Sequence, residues 1–240
     1  MTTHDRRLLE LHNLYQGSSR ILILGNGPSL LKQDLRPLEH EWTFACNGFP
    51  KWKARPFEPN FYGVSDIKDA KYFEALGLDS LVTPFRFNVQ FESRRDVHDG
   101  RFIWVEKAPD NIQIHSHGTV GMGPELPPIP TGRTTPLTLA QIALWLGFRS
   151  IYFLGVEQTT GYVYNPKAQV TMQGAEMDRS ERYLKAIQKC FLRFRQEVEE
   201  QHGGYVADCT PDGFLTGHTT EITMAKAVLP YVPLSEALSR

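Results

Sequence analysis

The chain has 240 residues, of which 22% are charged, and its formal net charge is −1. This length is enough for a substantial hydrophobic core, and we predict a single domain over residues 1–240. The near-zero charge excludes a protein that binds polyanions by neutralising many phosphates, so nucleic acid is not an expected partner.

Residues 1–19 are predicted to form an N-terminal extension with one short amphipathic helix, because Leu8, Leu11 and Leu14 recur at helical spacing. The segment lacks the apolar core of a signal peptide, and no run of about eighteen apolar residues occurs elsewhere. The three cysteines are widely spaced, which is typical of a reducing compartment. We therefore predict a cytoplasmic protein, with peripheral contact to the inner face of the membrane and homo-oligomer formation left open.

Seven apolar runs of strand length follow one another along the chain: RILILG, WTFACN, NFYGVSD, SLVTPF, RFIWVE, SIYFLGVE and YVADCT. Segments with helical spacing lie between several of them: SLLKQDLRPLE, IKDAKYFEALG, TTPLTLAQIALWLG and DRSERYLKAIQKCFLRFRQEVEEQ. Alternation of this kind predicts an α/β fold, with a Rossmann-like, mainly parallel sheet flanked by helices.

The helix predicted for TTPLTLAQIALWLG has recognisable ends. Thr134 or Thr135 can cap its start, and Pro136 lies in its first turn. Gly147 can adopt the left-handed conformation that ends it. The segment is apolar on nearly every side, which predicts a buried helix. The later, longer helix carries one apolar stripe that predicts contact with a sheet face: Leu184, Ile187, Phe191, Phe194 and Val198.

Two stretches have little regular patterning, residues 88–133, which are rich in proline and glycine, and residues 157–178. The second joins a strand to a helix through about twenty residues, and loops of that length in compact domains are usually functional or disordered. We predict that residues 157–178 form a lid over the strand ends.

The motif GNGPS directly follows the first predicted strand. In open α/β sheets, ligands bind at the carboxyl ends of the strands, where the start of a helix offers free N–H groups. Gly25 and Gly27 would let a ligand approach the backbone. Asn26 and Ser29 would supply side chains for a phosphate or ribose oxygen. A plain turn with a capped helix is the alternative, and the spacings of the dinucleotide fingerprint and the Walker loop do not occur.

The segments ILILGNGPSL, FACNGF and TTPLTLAQIALWLGFRSIYFLGVE together resemble the bacterial CMP-sialic acid sialyltransferases that modify lipooligosaccharides. Their wider relatives are the motility accessory factor glycosyltransferases and pterin pyrophosphokinase-like proteins. The resemblance implies a GT-A-like variant of the Rossmann-like fold, a CMP-sugar as co-substrate and a glycan acceptor. A CMP donor carries one phosphate, so no metal or other cofactor is expected.

The resemblance also assigns roles to individual residues. The residues implied to line the donor nucleotide are Gly25, Asn26, Gly27, Ser29, Asn47, Thr134, Thr135, Gly155 and Glu157. Tyr162, with Tyr164 close by, is implied to hydrogen-bond the leaving phosphate, because a tyrosine hydroxyl can donate to developing negative charge. Both tyrosines could instead pack under the lid. From the residues alone, Ser65 and Asp66 end a further strand and could meet the phosphate, a divalent ion or the acceptor.

The general base is where the chain departs from the sialyltransferases, which carry a histidine just before the long helix. The corresponding stretch, VTMQGAEMDRSERY, has none. Glu176 or Asp178 could take the role, because inverting transfer needs only a base within hydrogen-bond reach of the acceptor hydroxyl. Asp178 could equally stabilise the helix dipole. Further candidates for the base are His115, His117 and His218.

The resemblance implies an inverting glycosyltransferase that moves a ulosonic sugar, sialic-acid-like or Kdo-like, from a CMP donor to a glycan hydroxyl in lipopolysaccharide or capsule synthesis. Two alternatives stay open. One is a pterin-type pyrophosphokinase that uses ATP and Mg²⁺, for which Asp66 and Asp69 are the suggestive carboxylates. The other is a nucleotide-binding protein without catalytic activity.

Overall fold

Seven parallel strands form one sheet in the described part of the chain. The computed structural model describes residues 6–17, 20–65, 67, 71–97, 99–109, 126–157, 161–166, 181–211, 213–216 and 227–240. The strands are β1 (Ile21–Leu24), β2 (Thr43–Cys46), β3 (Phe61–Ser65), β4 (Phe85–Gln90), β5 (Ile103–Glu106), β6 (Ser150–Leu154) and β7 (Tyr205–Asp208). Their order is β5-β4-β3-β2-β1-β6-β7, and every neighbouring pair is parallel. The predicted α/β fold with a Rossmann-like sheet is confirmed.

Helices and short 3-10 segments connect the strands. The α-helices are α1 (Arg6–Glu10), α2 (Lys71–Ala75), α3 (Thr135–Leu146), α4 (Glu181–His202) and α5 (Leu234–Ala237). The 3-10 segments are Pro28–Lys32, Arg36–His40, Phe49–Lys51, Leu78–Ser80, Glu92–Val97 and Phe214–Thr216. Among the described helices, none combines the length and apolar character needed to cross a membrane.

The segment SLLKQDLRPLE forms two 3-10 segments rather than the predicted helix. Oδ1 of Asp34 accepts the backbone N–H of Arg36 at 3.1 Å, which closes a local turn. Pro37 then has no N–H to donate to a helical ladder. The local hydrogen bond and the proline together interrupt the helix that the apolar spacing predicts.

The fourth strand lies later in the chain than its pattern predicts. It covers Phe85–Gln90 rather than SLVTPF. The N–H of Val82 donates to the Glu58 carboxylate at 3.1 Å instead of to a neighbouring strand. Pro84 has no N–H for a strand ladder. The chain therefore joins the sheet only after that proline.

The strand order creates a crevice between β1 and β6. Strands β1 to β5 lie successively outward on one side, and the chain then returns to place β6 on the other side of β1. Leu24 and Leu154 are register partners at the carboxyl ends of these two strands. In doubly wound sheets, ligands bind outside the strand ends at such a switch point. The residues that follow Leu24 and Leu154 are therefore in the position where a ligand is expected.

The core lies in two layers, one on each face of the sheet. Because successive strand residues point to opposite faces, Ile21 and Ile23 pack in one layer and Leu22 and Leu24 in the other. Helix α3, buried throughout residues 136–146, belongs to the first layer. The apolar stripe of α4 is buried in the same layer. Both helices therefore have the burial that their sequences predict.

The N-terminal extension is only partly helical. Helix α1 ends at Glu10, and Asn13 adopts a left-handed conformation with φ 53°. Leu8 and Leu11 are buried, whereas Leu14 is 58% exposed. The predicted single apolar face is therefore wrong for Leu14, because the chain has already turned away from the helix at that point.

The extension packs instead against the carboxyl end of α3. Tyr15 donates its N–H to the carbonyl of Leu146 at 2.9 Å, which satisfies a helix-end acceptor. Gly147 ends α3 with φ 115°, as predicted. A side chain there would meet the backbone nitrogen of Gln16 at 2.6 Å. The glycine thus both ends the helix and admits the extension.

Replacing Tyr15 by alanine is expected to lower the free energy of unfolding by about 2 kcal/mol. The Tyr15 ring stacks on Phe148 with centroids 5.1 Å apart and meets Trp42 edge-on at 4.8 Å. The measurement is urea denaturation of Tyr15→Ala beside Leu14→Ala, for which exposure predicts a change within about 0.5 kcal/mol. Equal stability of the two variants would mean that the extension adds nothing to the core.

Candidate functional site

The candidate site lies at the carboxyl ends of β1 and β6, where two loops run side by side. Gly25 donates its N–H to Leu154 at 2.8 Å, and Gly27 donates to Gly155 at 2.9 Å. A methyl group on Gly25 would lie 2.1 Å from the carbonyl oxygen of Gly155. Gly155 itself has φ +71°, in the left-handed region. These glycines therefore allow the two loops to approach each other, in addition to any role toward a ligand.

A backbone N–H in the loop after β1 is already hydrogen-bonded to a carboxylate of the chain itself. Glu157, which is 7% exposed, accepts the N–H of Ser29 through Oε1 at 2.5 Å. The segment Pro28–Lys32 is a five-residue 3-10 turn rather than an α-helix. A Cβ on Gly27 would lie 1.4 Å from Oε2 of Glu157, so a side chain there would displace the Glu157 carboxylate. The Ser29 N–H, which is at the position expected to bind a phosphate, is therefore hydrogen-bonded to Glu157 instead.

Two asparagines line the ends of β1 and β2. Asn26 donates from Nδ2 to the carbonyl of Cys46 at 3.0 Å. Because a carbonyl only accepts, this bond orients the amide and leaves Oδ1 of Asn26 buried, with no partner in the described ranges. Asn47 has φ 44°, a conformation that asparagine tolerates better than most residues. Its Nδ2 donates to the hydroxyl of Thr135 at 3.0 Å, and its Oδ1 is also buried and unpaired.

A pair of hydroxyl groups links β3 to the start of α3. Oγ of Ser65 lies 2.6 Å from Oγ1 of Thr135. Thr134 occupies the N-cap position of α3, but its side chain makes no cap hydrogen bond. The structure therefore brings three of the predicted site residues, Asn47, Ser65 and Thr135, into one hydrogen-bonded chain.

The described part of the predicted lid lies over the loop after β1. Val163 donates its N–H to the carbonyl of Asn26 at 2.8 Å, and its side chain is buried. The rings of Tyr162 and Tyr164 stack with centroids 5.0 Å apart and planes 7° from parallel. A Cβ on Gly48 would lie 2.4 Å from the Tyr164 hydroxyl oxygen. Burial raises the pKa of Tyr164, so its hydroxyl keeps its proton at neutral pH and can donate.

Asp208, at the end of β7, is a buried carboxyl that the sequence patterns did not single out. Its Oδ1 accepts the N–H of Thr210 at 2.9 Å, and its Oδ2 has no partner among the described residues. Burial, with a smaller contribution from the charge of Glu157, raises the pKa of Asp208 to about 7. Thr210 in turn accepts the N–H of Val156 at 3.2 Å. The signal that could have found Asp208 is the one that selected Ser65, a polar residue at the end of an apolar strand.

Within the described part of the chain, five buried side-chain atoms at this edge of the sheet lack a hydrogen-bond partner. They are Asn26 Oδ1, Ser29 Oγ, Asn47 Oδ1, Glu157 Oε2 and Asp208 Oδ2. Buried polar groups in folded proteins are nearly always paired, and an unpaired one costs about 1–3 kcal/mol. Their concentration at the ends of β1, β2, β6 and β7 marks a place where a bound ligand would supply the missing partners.

The remaining candidates lie outside the described residues: Asp66, Asp69, His115, His117, Glu176, Asp178 and His218. The identity of the general base therefore stays a prediction. Of the lid, only Glu157 and residues 161–166 are described. Within the ranges that the structure describes, no three histidine, cysteine or carboxylate side chains are grouped so that they could hold a metal ion.

No protein-family model matches the chain, and no curated protein matches it in sequence. Solved structures do match its fold. The sialyltransferase CstII from Campylobacter jejuni, in complex with the substrate analogue CMP-3FNeuAc, matches with a TM-score of 0.50 and 14% identity over 89% of this chain and 88% of that chain. The monofunctional alpha-2,3-sialyltransferase Cst-I from the same organism matches with a TM-score of 0.50 and 16% identity over 85% of this chain and 80% of that one.

The MAf glycosyltransferase from Magnetospirillum magneticum AMB-1 matches with a TM-score of 0.52 and 16% identity. The match covers 97% of this chain but 38% of the larger protein. At these identities the likeness establishes a shared fold. The resemblance that the strand-end motifs indicate is thus confirmed at the level of the fold, which is the GT-A-like arrangement expected.

Proposed function

We propose that the chain is an inverting glycosyltransferase that transfers a ulosonic sugar from a CMP donor to a glycan hydroxyl. The observation that carries the proposal is the cluster of unpaired buried atoms at the β1–β6 switch point. Three of them, on Asn26, Asn47 and Glu157, are hydrogen-bond acceptors. Cytidine brings matching donors, because its ribose has two hydroxyl groups and its base has an exocyclic amine.

The lid tyrosines fit the chemistry of the leaving group. When the bond between the anomeric carbon and the phosphate oxygen breaks, its electron pair stays on that oxygen and the CMP gains negative charge. Tyr162 and Tyr164 lie side by side above the site, and the Tyr164 hydroxyl keeps its proton because burial raises its pKa. A hydroxyl that donates where negative charge develops stabilises the transition state without a metal.

The fold likeness supports the class of donor. CstII, which shares the fold, is described in complex with the CMP-sugar analogue CMP-3FNeuAc. The proposed acceptor is a glycan hydroxyl in lipopolysaccharide or capsule synthesis at the cytoplasmic face of the membrane. Its proton would go to Glu176 or Asp178, with the histidines as alternatives.

The experiment that tests the proposal begins with thermal unfolding in the presence of CMP, UMP, AMP and ATP, each with and without Mg²⁺. A ligand that binds only the folded state stabilises it by about 2.7 kcal/mol at a hundred times its Kd. We expect CMP to raise the Tm without Mg²⁺. A Mg²⁺-dependent shift with ATP and none with CMP would overturn the proposal in favour of a pyrophosphokinase.

Binding alone does not establish catalysis, so the second measurement is release of CMP from CMP-activated ulosonic sugars in the presence of glycan acceptors. We expect release that needs no added metal and that depends on the acceptor. CMP binding with no turnover of any donor would instead support a nucleotide-binding protein without activity.

A further inference from the structure

The buried edge of the site is suited to an uncharged part of a ligand. The buried atoms without a hydrogen-bond partner at this edge include the amide oxygens of Asn26 and Asn47 and one carboxyl oxygen each of Glu157 and Asp208. The N–H of Ser29, which could have met an anion, already holds Glu157. Oxygen lone pairs and a carboxylate repel a phosphate group. A nucleotide would therefore bind this edge through its nucleoside, and its phosphate would lie outside, toward the lid tyrosines.

Lys51 lies on that side of the site. It ends the 3-10 segment Phe49–Lys51, which begins directly after Gly48. Its Nζ lies 5.9 Å from the ring centroid of Tyr164. The Tyr164 hydroxyl lies against Gly48, and its ring stacks on that of Tyr162. The loop after β2 thus carries an ammonium group to the same tyrosine pair that the leaving phosphate would meet.

Among the described residues, no carboxylate neutralises the charge of Lys51. None of the ion pairs among the described residues includes Lys51, and its side chain is exposed. A CMP-linked ulosonic sugar carries two negative charges, one on the phosphodiester and one on the sugar carboxylate. An ammonium group beside two hydroxyl donors provides the complementary charge that the buried edge lacks.

We propose that Lys51 binds the phosphate of the nucleotide beside the tyrosine pair and sets the preference of the site for CMP over cytidine. This inference rests on the proposed function, because it takes a cytidine nucleotide as the ligand. During transfer, the bond from the anomeric carbon to the phosphate oxygen breaks, and its electron pair gives the phosphate a second negative charge. The Lys51 ammonium stabilises that charge, which is greater in the product than in the donor.

The test is calorimetric titration of CMP and of cytidine into the wild-type chain and three variants. Lys51→Met is expected to weaken CMP binding by about tenfold to a hundredfold, the usual effect of losing a hydrogen bond to a charged group. It is expected to leave cytidine binding unchanged, because cytidine has no phosphate. Lys51→Arg keeps the charge and is expected to keep most of the CMP affinity. Lys53→Met is the matched control, since Lys53 is exposed and its Nζ lies near Gly77 instead.

The outcomes separate this inference from the proposed function. Unchanged CMP affinity in Lys51→Met, or an equal loss for CMP and cytidine, would overturn the phosphate role of Lys51. A similar loss of CMP affinity in Lys53→Met would also overturn it, because the effect would then be one of general surface charge. A wild-type chain that binds neither CMP nor cytidine would refute the proposed function itself.

Discussion

Gly25→Ala is expected to lower the free energy of unfolding by about 3 kcal/mol, and to abolish binding of CMP. The added methyl group would lie 2.1 Å from the carbonyl oxygen and 2.8 Å from the carbonyl carbon of Gly155. A backbone carbonyl cannot rotate away as a flexible side chain can. The steric clash can therefore be relieved only if the loops after β1 and β6 separate. Their separation breaks the 2.8 Å hydrogen bond from Gly25 to Leu154.

The measurements are urea denaturation and calorimetric titration of CMP. Gly100→Ala is the matched control, because no atom of the described residues lies within 4 Å of the Cβ it would add. The control is expected to stay within about 0.5 kcal/mol of wild type and to bind CMP normally. A Gly25→Ala variant as stable as the control would contradict the close approach of the two loops.

Asp208→Asn is expected to remove a pH dependence of stability between about pH 4 and pH 7. Burial raises the pKa of Asp208 from 3.8 to about 7 in the folded chain. Between these values the folded state holds a proton that the unfolded state has released. The stability contributed by this group is therefore complete below pH 3.8 and is lost as the pH rises through about 7. The expected slope is at most about 1.4 kcal/mol per pH unit.

The measurement is the free energy of unfolding of both proteins across this pH range. Asparagine keeps an oxygen that can accept the N–H of Thr210, and it cannot ionise. The difference between wild type and variant isolates Asp208, because the other titrating groups are shared. The wild type is expected to lose stability relative to Asp208→Asn as the pH rises. Parallel pH curves would contradict the buried protonated carboxyl.

The strands and the long helices could be predicted because their signals are local. Apolar runs marked six of the seven strands, and helical periodicity marked α3 and α4 with their buried faces. Two of the errors occurred where polar contacts override the apolar pattern. Asp34 closes a turn inside a predicted helix, and Val82 donates to Glu58 instead of joining the sheet. Such contacts depend on the orientation of single side chains, which apolar spacing does not report.

The candidate site was predictable in part, because parallel strands bring their carboxyl ends to one edge. Asn26 and Ser65 were selected as polar residues at strand ends, whereas Asn47 and Thr135 were implied by the family resemblance. The structure joins Asn47, Thr135 and Ser65 by hydrogen bonds, and Asn26 donates to the carbonyl of Cys46, which precedes Asn47. Asp208 is also a polar residue at the end of a strand, but it lies in the run YVADCT, which was interpreted only as a strand. Lys51 had no such signal, since it lies three residues past the Asn-Gly pair.

The sequence by itself determined the alternation of strands and helices, the glycine-rich turn after β1 and the edge of the sheet at which a site is expected. Only the tertiary structure decided how the charges are arranged there. Ser29 and Glu157 are 128 positions apart in the chain. The Glu157 carboxylate, which accepts the Ser29 N–H, lies in the loop after β6. The hydrophobic periodicity that specifies strands and helices acts within each segment. Hydrogen bonds and burial of this kind arise between segments that are distant in sequence, so no local pattern specifies them.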